Sequence, residues 1–233
     1  MSSPEFATLQ ARLQAHHGQR LDAAQWNRLV AMVALEPFLA RARETALGAW
    51  LVGVDPGGDV HHLEEMMRGA FLRHVAMVAS WTPQAWQPAV RWLERLPDLT
   101  AALHVRRHGA DHAWLRSLEG VASCELPAPD RDPLDWWLDR WQALWPRADR
   151  NAPSLIALTR LARTLPERDR SAESDPLGWS AWLALRESLE LRFRRDALGP
   201  GALFVHLWLM ALDLHRLRGE LCRRRLFVLE ERA

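Results

Sequence analysis

The stretch WTPQAWQPAVRWLERLPDLTAAL, residues 81 to 103, decides the fold of this chain. It contains three tryptophans and three prolines. Proline fits the first turn of a helix but breaks a helix in its interior, so each proline here marks the start of a new short helix. The tryptophans supply large apolar surfaces that pack such helices together. The stretch predicts a helical scaffold, where a catalytic segment would more often show a glycine loop or a polar cluster.

The composition of the 233-residue chain also favours helices. All 30 basic residues are arginine, tyrosine is absent, isoleucine occurs once, and leucine, alanine, arginine and glutamate dominate. The abundant types lose little side-chain freedom in a helix, whereas the scarce β-branched types are those that favour strands. The sequence therefore predicts an all-α protein.

Charge and hydropathy argue against several classes of protein. The 30 basic and 29 acidic residues nearly cancel, so no basic field is present to attract a nucleic acid. Cys124 and Cys222 form no CxxC motif, which favours free thiols in a reducing cytoplasm. The N-terminus lacks the pattern of a signal peptide. The longest apolar run, 202 to 214, is about 13 residues long, against the roughly 20 that a membrane-spanning helix needs.

Signals for helix starts and ends recur along the chain. Asp22 and Gln25 have the spacing of a capping box, in which each side chain satisfies a free backbone N–H of the first turn. The predicted helices run from 4 to 18, from 22, from 36, from 59 to 80, from 135 to 145, from 153 to 165, from 175 to 195 and from 201 to 227, with a helical turn or two at 45 to 52. Within 59 to 80, one stripe at spacings of three and four predicts a core face: Leu63, Met67, Ala70, Phe71, His74, Val75 and Val78.

Residues 120 to 133 are the best candidate for a linker. They contain three prolines and no hydrophobic period. They predict an N-terminal helical lobe at 1 to 119 and a C-terminal helical lobe at 134 to 233. The alternative is that both lobes belong to one continuous domain.

Metal-ligand patterns in the sequence are incomplete. His104, His108 and His112 would align on a continuous helix, but Gly109 interrupts it. A second possible set is His61, Glu65 and His74. Helical di-metal sites need Glu-x-x-His motifs, and the chain has none. We therefore predict no metal ligands, and a helical metal-dependent enzyme is the least favoured of three functional hypotheses.

The familiar catalytic and cofactor motifs are also missing. The chain has no Gly-x-Ser-x-Gly motif, no phosphate-binding loop and no dinucleotide fingerprint. We predict no catalytic residue, no cofactor and no enzymatic activity.

Arginine clusters and tryptophans are the candidate interaction residues. The arginines fall near predicted helix C-termini, where cations favourably meet the helix dipole, but they could also meet acidic partner surfaces. Trp136, Trp137, Trp141 and Trp145 fit a helical ridge in the core, and the excess of tryptophan leaves room for one or two exposed anchors. The candidate interface arginines are Arg106, Arg107, Arg194, Arg195, Arg223, Arg224 and Arg225.

Two N-terminal segments carry a family resemblance: FATLQARLQ from residue 6, and the region 22 to 51, which ends in RETALGAWL. They resemble the opening of a family of V-type ATPase proteins that link the rotor to the central stalk. Its members are known as the C-type subunits, or as the d-type subunits in eukaryotes. The Asp98-Leu99 step resembles a recurring Asp-Leu step of that family. The Asp213-Leu214 step, in the helical run from 207 to 218, is similar to the family's closing helix.

This resemblance implies a non-catalytic, funnel-like helical protein with two or three similar lobes. Such an adaptor sits on the cytoplasmic face of the inner membrane, connects the proteolipid rotor ring to the central stalk, and transmits torque for ion or proton transport. It would reach the membrane only through the ring and would need no nucleotide or metal. The alternative hypothesis is a free-standing helical adaptor of another complex, motivated by the tryptophan excess.

Overall fold

The computed structural model describes residues 4 to 97, residue 99, and residues 132 to 150, 152 to 164 and 180 to 227. Every regular element in these ranges is helical, which confirms the all-α prediction. The first half comprises α1 (Pro4–Gly18), α2 (Ala23–Val30), α3 (Leu35–Arg43), a 3-10 helix (Ala46–Trp50), α4 (Val60–Trp81), a 3-10 helix (Gln84–Trp86), α5 (Gln87–Arg91) and a 3-10 helix (Trp92–Arg95). The second half comprises α6 (Pro133–Ala143), a 3-10 helix (Arg147–Asp149), α7 (Pro153–Ala162), α8 (Ser180–Arg195) and α9 (Pro200–Phe227).

Local side-chain caps set the starts of α2, α4 and α6. The capping box of α2 is present, with Asp22 accepting from the Gln25 backbone at 2.7 Å and Gln25 accepting from the Asp22 backbone at 2.8 Å. Asp59 caps α4 through the backbone N–H of His62. Asp132 caps α6 in the same way, so this helix begins at Pro133, two residues before the predicted start. The predicted linker therefore ends in a helix cap, and its residues 120 to 131 lie outside the described ranges.

The first third of α9 is enclosed on all sides. Every residue from 201 to 210 is buried, and α9 packs against α1, α3, α4, α7 and α8. A helix that is apolar around its whole circumference needs such a surrounding layer. The apolar run at 202 to 214 is therefore a core helix. No helix in the described ranges is long and apolar enough to cross a bilayer.

The hydrophobic core draws on both halves of the chain. Buried side chains from Leu9 near the start to Leu221 near the end belong to one cluster. Five of the seven predicted core positions of α4 are buried, and the other two, Leu63 and His74, are half-buried. The division into two lobes stays a prediction, since residues 100 to 131 are not among those described.

The tryptophans of α6 pack on one side of this core. Trp137 and Trp141 are almost fully buried, and the ring of Trp141 meets Phe204 of α9 edge to face at 4.9 Å. Trp136 packs against Trp92, whose ring lies 5.7 Å away. This confirms the interpretation of the ridge as a packing surface. It also connects the short helices around Trp92 to α6.

Gly201 allows α9 to begin close to α7. A Cβ atom at position 201 would lie 2.8 Å from Cβ of Ser154 and 3.0 Å from Cβ of Asp196. Neither neighbour is the flexible end of a long side chain, so the backbones would have to separate. The chain reaches this point through Leu198, whose φ of 64° lies in the left-handed region. The absence of a side chain at Gly201 thus allows the start of α9 to lie close to Ser154 and Asp196.

We expect Gly201→Ala to lower the free energy of unfolding by about 1 to 3 kcal/mol, the usual cost of overpacking. The control is Gly18→Ala, because nothing lies within 4 Å of a Cβ built at that position. Chemical denaturation of both variants measures the difference. Equal stability of the two variants would contradict the close approach of α7 and α9.

Candidate functional site

A group of polar, mostly titratable side chains lies where α1, α4, α8 and α9 meet. It combines a histidine cluster with a network of arginine–carboxylate ion pairs. The most enclosed member is His206 of α9, which has no exposed surface. The members are His16 and His17 of α1, Arg20 in the turn after α1, His74 of α4, Arg186 and Glu190 of α8, and His206 and Asp213 of α9.

The histidine cluster joins three helices through imidazole rings. Nε2 of His74 lies 3.2 Å from Nε2 of His206, so one nitrogen donates a hydrogen and the other accepts it. The ring centroid of His16 lies 6.0 Å from that of His74 and 6.4 Å from that of His206. Trp50 packs 5.2 Å from His74, and Trp81 packs 5.3 Å from His16, between ring centroids. Aromatic side chains thus cover the cluster.

Burial lowers the pKa of the two central histidines. The pKa of His74 falls to about 4, because of desolvation and then of the neighbouring His16. Desolvation holds the pKa of His206 well below its ordinary value, and nearby cationic groups add to the effect. Both rings are therefore neutral at pH 7. The groups that face His206 are His74 from α4, His16 and His17 from α1, Arg20 from the turn after α1, and Phe193 from α8.

The ion-pair network lies beside the histidines and ties α1, α8 and α9 together. Nε of Arg20 donates to Asp213 at 2.7 Å, and both side chains are at most 6% exposed. Arg186 approaches Asp213 at 3.7 Å and donates to Glu190 at 2.9 Å, while Arg20 lies 3.5 Å from Glu190. Burial alone would raise the pKa of Glu190, but the hydrogen bond and charge of Arg186 and the charge of Arg20 outweigh this and lower it. The positive charges of Arg20 and Arg186 therefore balance the negative charges of Asp213 and Glu190.

The structure gives the Asp213-Leu214 step a structural role. Asp213 accepts the buried ion pair from Arg20, and Leu214 belongs to the hydrophobic core. In the earlier step, Leu99 is buried as well, while Asp98 lies outside the described residues.

Within the residues that it describes, the structure does not bring the candidate metal ligands together. Glu65 is exposed to solvent, whereas His74 faces the interior of the same helix. The side chain of His61, and the row of His104, His108 and His112, lie outside the described part. Among the described residues, no group of three or more His, Cys, Asp or Glu side chains is arranged to hold a metal ion.

The thiol of Cys222 is free and half-buried. Burial raises the pKa of this thiol, which keeps it protonated and weakly nucleophilic. Cys124 is not among the described residues.

Arg224 is not a surface residue, so its prediction as part of an interface was wrong. It is 2% exposed and lies inside the protein near the end of α9. Its guanidinium donates to the carbonyls of Val30 and Met32, at the C-terminal end of α2, and to Glu220. These carbonyls have no partner within their own helix, and a cation there also meets the negative end of the helix dipole. Arg224 therefore caps another helix.

The other predicted interface arginines differ in whether their guanidinium groups are free to meet a partner protein. Arg225 donates to the carbonyls of Pro56 and Gly57 and so holds the loop before α4. Arg223 is half exposed and pairs with Glu220 at 3.1 Å. Arg194 and Arg195 are exposed in the last turn of α8. Arg106 and Arg107 lie outside the described residues.

The tryptophans of the described ranges serve mainly in packing. Eight are buried, and the remaining three, Trp81, Trp92 and Trp182, are half-buried. No exposed tryptophan anchor is present in this part of the chain. Trp114 and Trp179 are not described.

The buried polar network was missed by sequence reasoning, although part of its signal was available. His206 and Asp213 interrupt an apolar run with a spacing of seven, which places both on one side of a helix. Two polar residues on one side of an otherwise apolar helix indicate a buried polar contact. The partners Arg20 and Arg186 had no such signal, because they come from distant parts of the sequence.

Comparisons with known proteins give no match. No protein-family model, no curated protein and no solved structure is significantly similar to this chain.

We expect the free energy of unfolding to fall as the pH is lowered from 6.5 to 5. Histidines of the unfolded chain bind protons near pH 6.5, whereas the pKa of His74 is lowered to about 4 and burial holds the pKa of His206 well below its ordinary value. The unfolded state therefore binds more protons over this range, which destabilises the folded state. Urea denaturation at a series of pH values measures the slope.

The variant His206→Gln should reduce that slope by about one proton, because it removes one buried neutral imidazole. His62→Gln, at an exposed position of α4, should leave the slope unchanged. The slope is independent of any overall loss of stability in the variant. If both variants keep the slope of the parent protein, the buried pair is not its source.

We expect Arg224→Ala to destabilise the protein by about 3 kcal/mol or more, because it removes the buried partner of Glu220, leaves only the half-exposed Arg223 beside that carboxylate, and uncaps α2. Arg223→Ala should have little effect, because an exposed ion pair contributes little. Thermal or chemical denaturation of the two neighbouring variants provides the comparison. A larger loss in Arg223→Ala would refute the capping role.

Proposed function

We propose that this protein is a non-catalytic adaptor of a bacterial V-type rotary ATPase. In this role it connects the proteolipid rotor ring to the central stalk and transmits torque for ion or proton transport. It acts on the cytoplasmic face of the inner membrane and reaches the membrane only through the ring. The proposal starts from the resemblance of two distant parts of the chain to the adaptor family of that enzyme.

The observation that carries the proposal is that these distant segments pack against each other. The opening segments contain α1, α2 and α3, and the closing segment lies in α9. Arg20, which lies between the two opening segments, binds Asp213 of the closing step at 2.7 Å. Further along α9, Arg224 binds the carbonyls of Val30 and Met32 between α2 and α3. The opening and closing parts of the chain thus pack together, and this packing supports the proposal that both belong to one adaptor.

The kind of contact also supports a role in transmitting force. Arg20 and Arg224 make directional bonds to distant parts of the chain in the interior, where water does not compete. These bonds add to the close packing of the apolar side chains and are lost on a small displacement. Helices joined in this way turn together, which a torque-transmitting adaptor needs.

The direct test is co-expression with the proteolipid ring and the central-stalk protein of the same organism, followed by affinity purification in mild detergent. We expect the protein to be retained by at least one of the two partners at a defined stoichiometry. A component of the peripheral catalytic head, expressed alone with this protein, serves as the control for non-specific retention.

If neither the ring nor the stalk retains the protein, the proposal is wrong. In that case, in-cell crosslinking would identify the complex to which a free-standing adaptor belongs. Three of the predicted interface arginines are exposed: Arg194, Arg195 and Arg223. They are the candidates for contacts with the partners in either case.

A further inference from the structure

Helix α1 is attached to the rest of the protein by few apolar contacts. Among its described side chains, Leu9 and Leu13 are the apolar ones that are fully buried. Gln10 is buried as well, and its Nε2 has no hydrogen-bond partner in the described part of the chain. The same holds for Nδ1 of His17. Such atoms lose their hydration without a replacement, so they weaken the attachment of α1.

Histidine rings make much of the remaining contact between α1 and its neighbours. The ring of His17 stacks on Phe193 of α8, with 4.1 Å between the centroids. The ring of His16 lies 6.0 Å from that of His74 on α4 and 6.4 Å from that of His206 on α9. Helix α1 therefore lies against both central histidines of the cluster and carries a third buried one itself.

The packed position of α1 disfavours protons on these rings. The pKa of His17, of His74 and of His206 is lowered, and burial is the largest cause in each case. Nearby cationic groups lower all three pKa values further, while two carboxylates partly offset the effect on His17. The groups that act on His74 and His206 are His16, His17, Arg20 and the two rings on each other, and those that act on His17 are Arg20, Arg186, Glu190 and Asp213.

The turn after α1 combines a hinge with a fixed base. Gly18 and Gln19 are exposed, and a Cβ atom built at position 18 would meet nothing within 4 Å. Directly beyond them, Arg20 pairs with Asp213 at 2.7 Å and Leu21 is buried in the core. Helix α1 can therefore turn about this exposed step while the ion pair behind it stays intact.

We propose that acid releases α1 from the protein: the helix leaves α4, α8 and α9 as His17, His74 and His206 take up protons, while Arg20 and Leu21 stay in place. Water reaches the three rings when α1 moves away, so the released state binds more protons than the packed state below about pH 6.5. A fall in pH therefore favours release. No covalent bond changes, so the helix returns on neutralisation. The release does not depend on the proposed rotary function, since every group that it needs belongs to this chain.

The size of the effect follows from His74. Its pKa is about 4 in the packed state, and a histidine in water titrates near pH 6.5. This difference raises the equilibrium constant for release on the order of a hundredfold between pH 7 and pH 4. Protons taken up by His206 and His17 add to the increase.

Hydrogen–deuterium exchange of the full chain between pH 7 and pH 4, corrected for the intrinsic pH dependence of exchange, tests the release. We expect the backbone amides of residues 7 to 17 to lose protection at a higher pH than those of residues 203 to 210 in the buried part of α9. If both groups lose protection at the same pH, the protein only unfolds as a whole and the inference is wrong. It is equally wrong if α1 keeps its protection down to pH 4.

Two variants should shift the release in opposite directions. His74→Gln removes one of the titrating rings, so the hundredfold increase should be reduced at least about tenfold. His62→Gln, at an exposed position of the same helix, should behave like the parent protein. Leu13→Ala weakens the apolar attachment of α1 and should move its release to higher pH. Leu158→Ala, at an equally buried leucine of α7, should leave the exchange of α1 relative to that of α9 unchanged.

The variants also provide outcomes that contradict the release. If His74→Gln responds to pH like His62→Gln, proton uptake at the cluster does not drive the loss of protection in α1. If Leu13→Ala and Leu158→Ala change the exchange of α1 and α9 alike, α1 does not separate from the rest of the protein as a unit.

Discussion

The ion pair between Arg20 and Asp213 is the interaction on which the arrangement of the helices depends. A buried ion pair adds little net stability compared with well-packed apolar side chains, because both charges lose their hydration. Its geometry is strict, however, since either charge left alone in the interior is costly. Because Arg20 lies just after α1, Asp213 on α9 and the second cation Arg186 on α8, the pair fixes the end of α1 relative to two other helices. It adds a directional constraint to the close packing of the apolar side chains around it.

The histidine cluster adds a different constraint at the same junction. His74 and His206 are held neutral by burial, and their single hydrogen bond uses one nitrogen from each ring. A neutral pair next to a balanced set of ion pairs lets the centre of the protein contain many polar groups without a net charge. The same arrangement makes the junction sensitive to protons. Packing and proton binding are therefore coupled where four helices meet.

The sequence predicted features that depend on neighbours along the chain. The capping box of α2, the extent of α4 and α9, and the ridge around Trp137 follow from spacings within one helix. The roles of Arg224 and Arg20 depend on contacts with distant helices, and no local pattern announces such contacts. Arg224 looked like a surface cation because arginines are common at helix ends. Only the approach of α2 to α9 shows that its guanidinium serves another helix.

The placement of these contacts has a consequence for the order of events during synthesis. The N-terminal helices α1 and α2 emerge from the ribosome first, but the groups that neutralise Arg20 and cap the end of α2 belong to α9. Translation proceeds at roughly 5 to 20 residues per second, so these early helices wait on the order of ten seconds or longer for their partners. During this interval the apolar faces that α1 and α3 present to α9 have no partner. Nascent chains of this protein should therefore depend on chaperones until the last helix has been made.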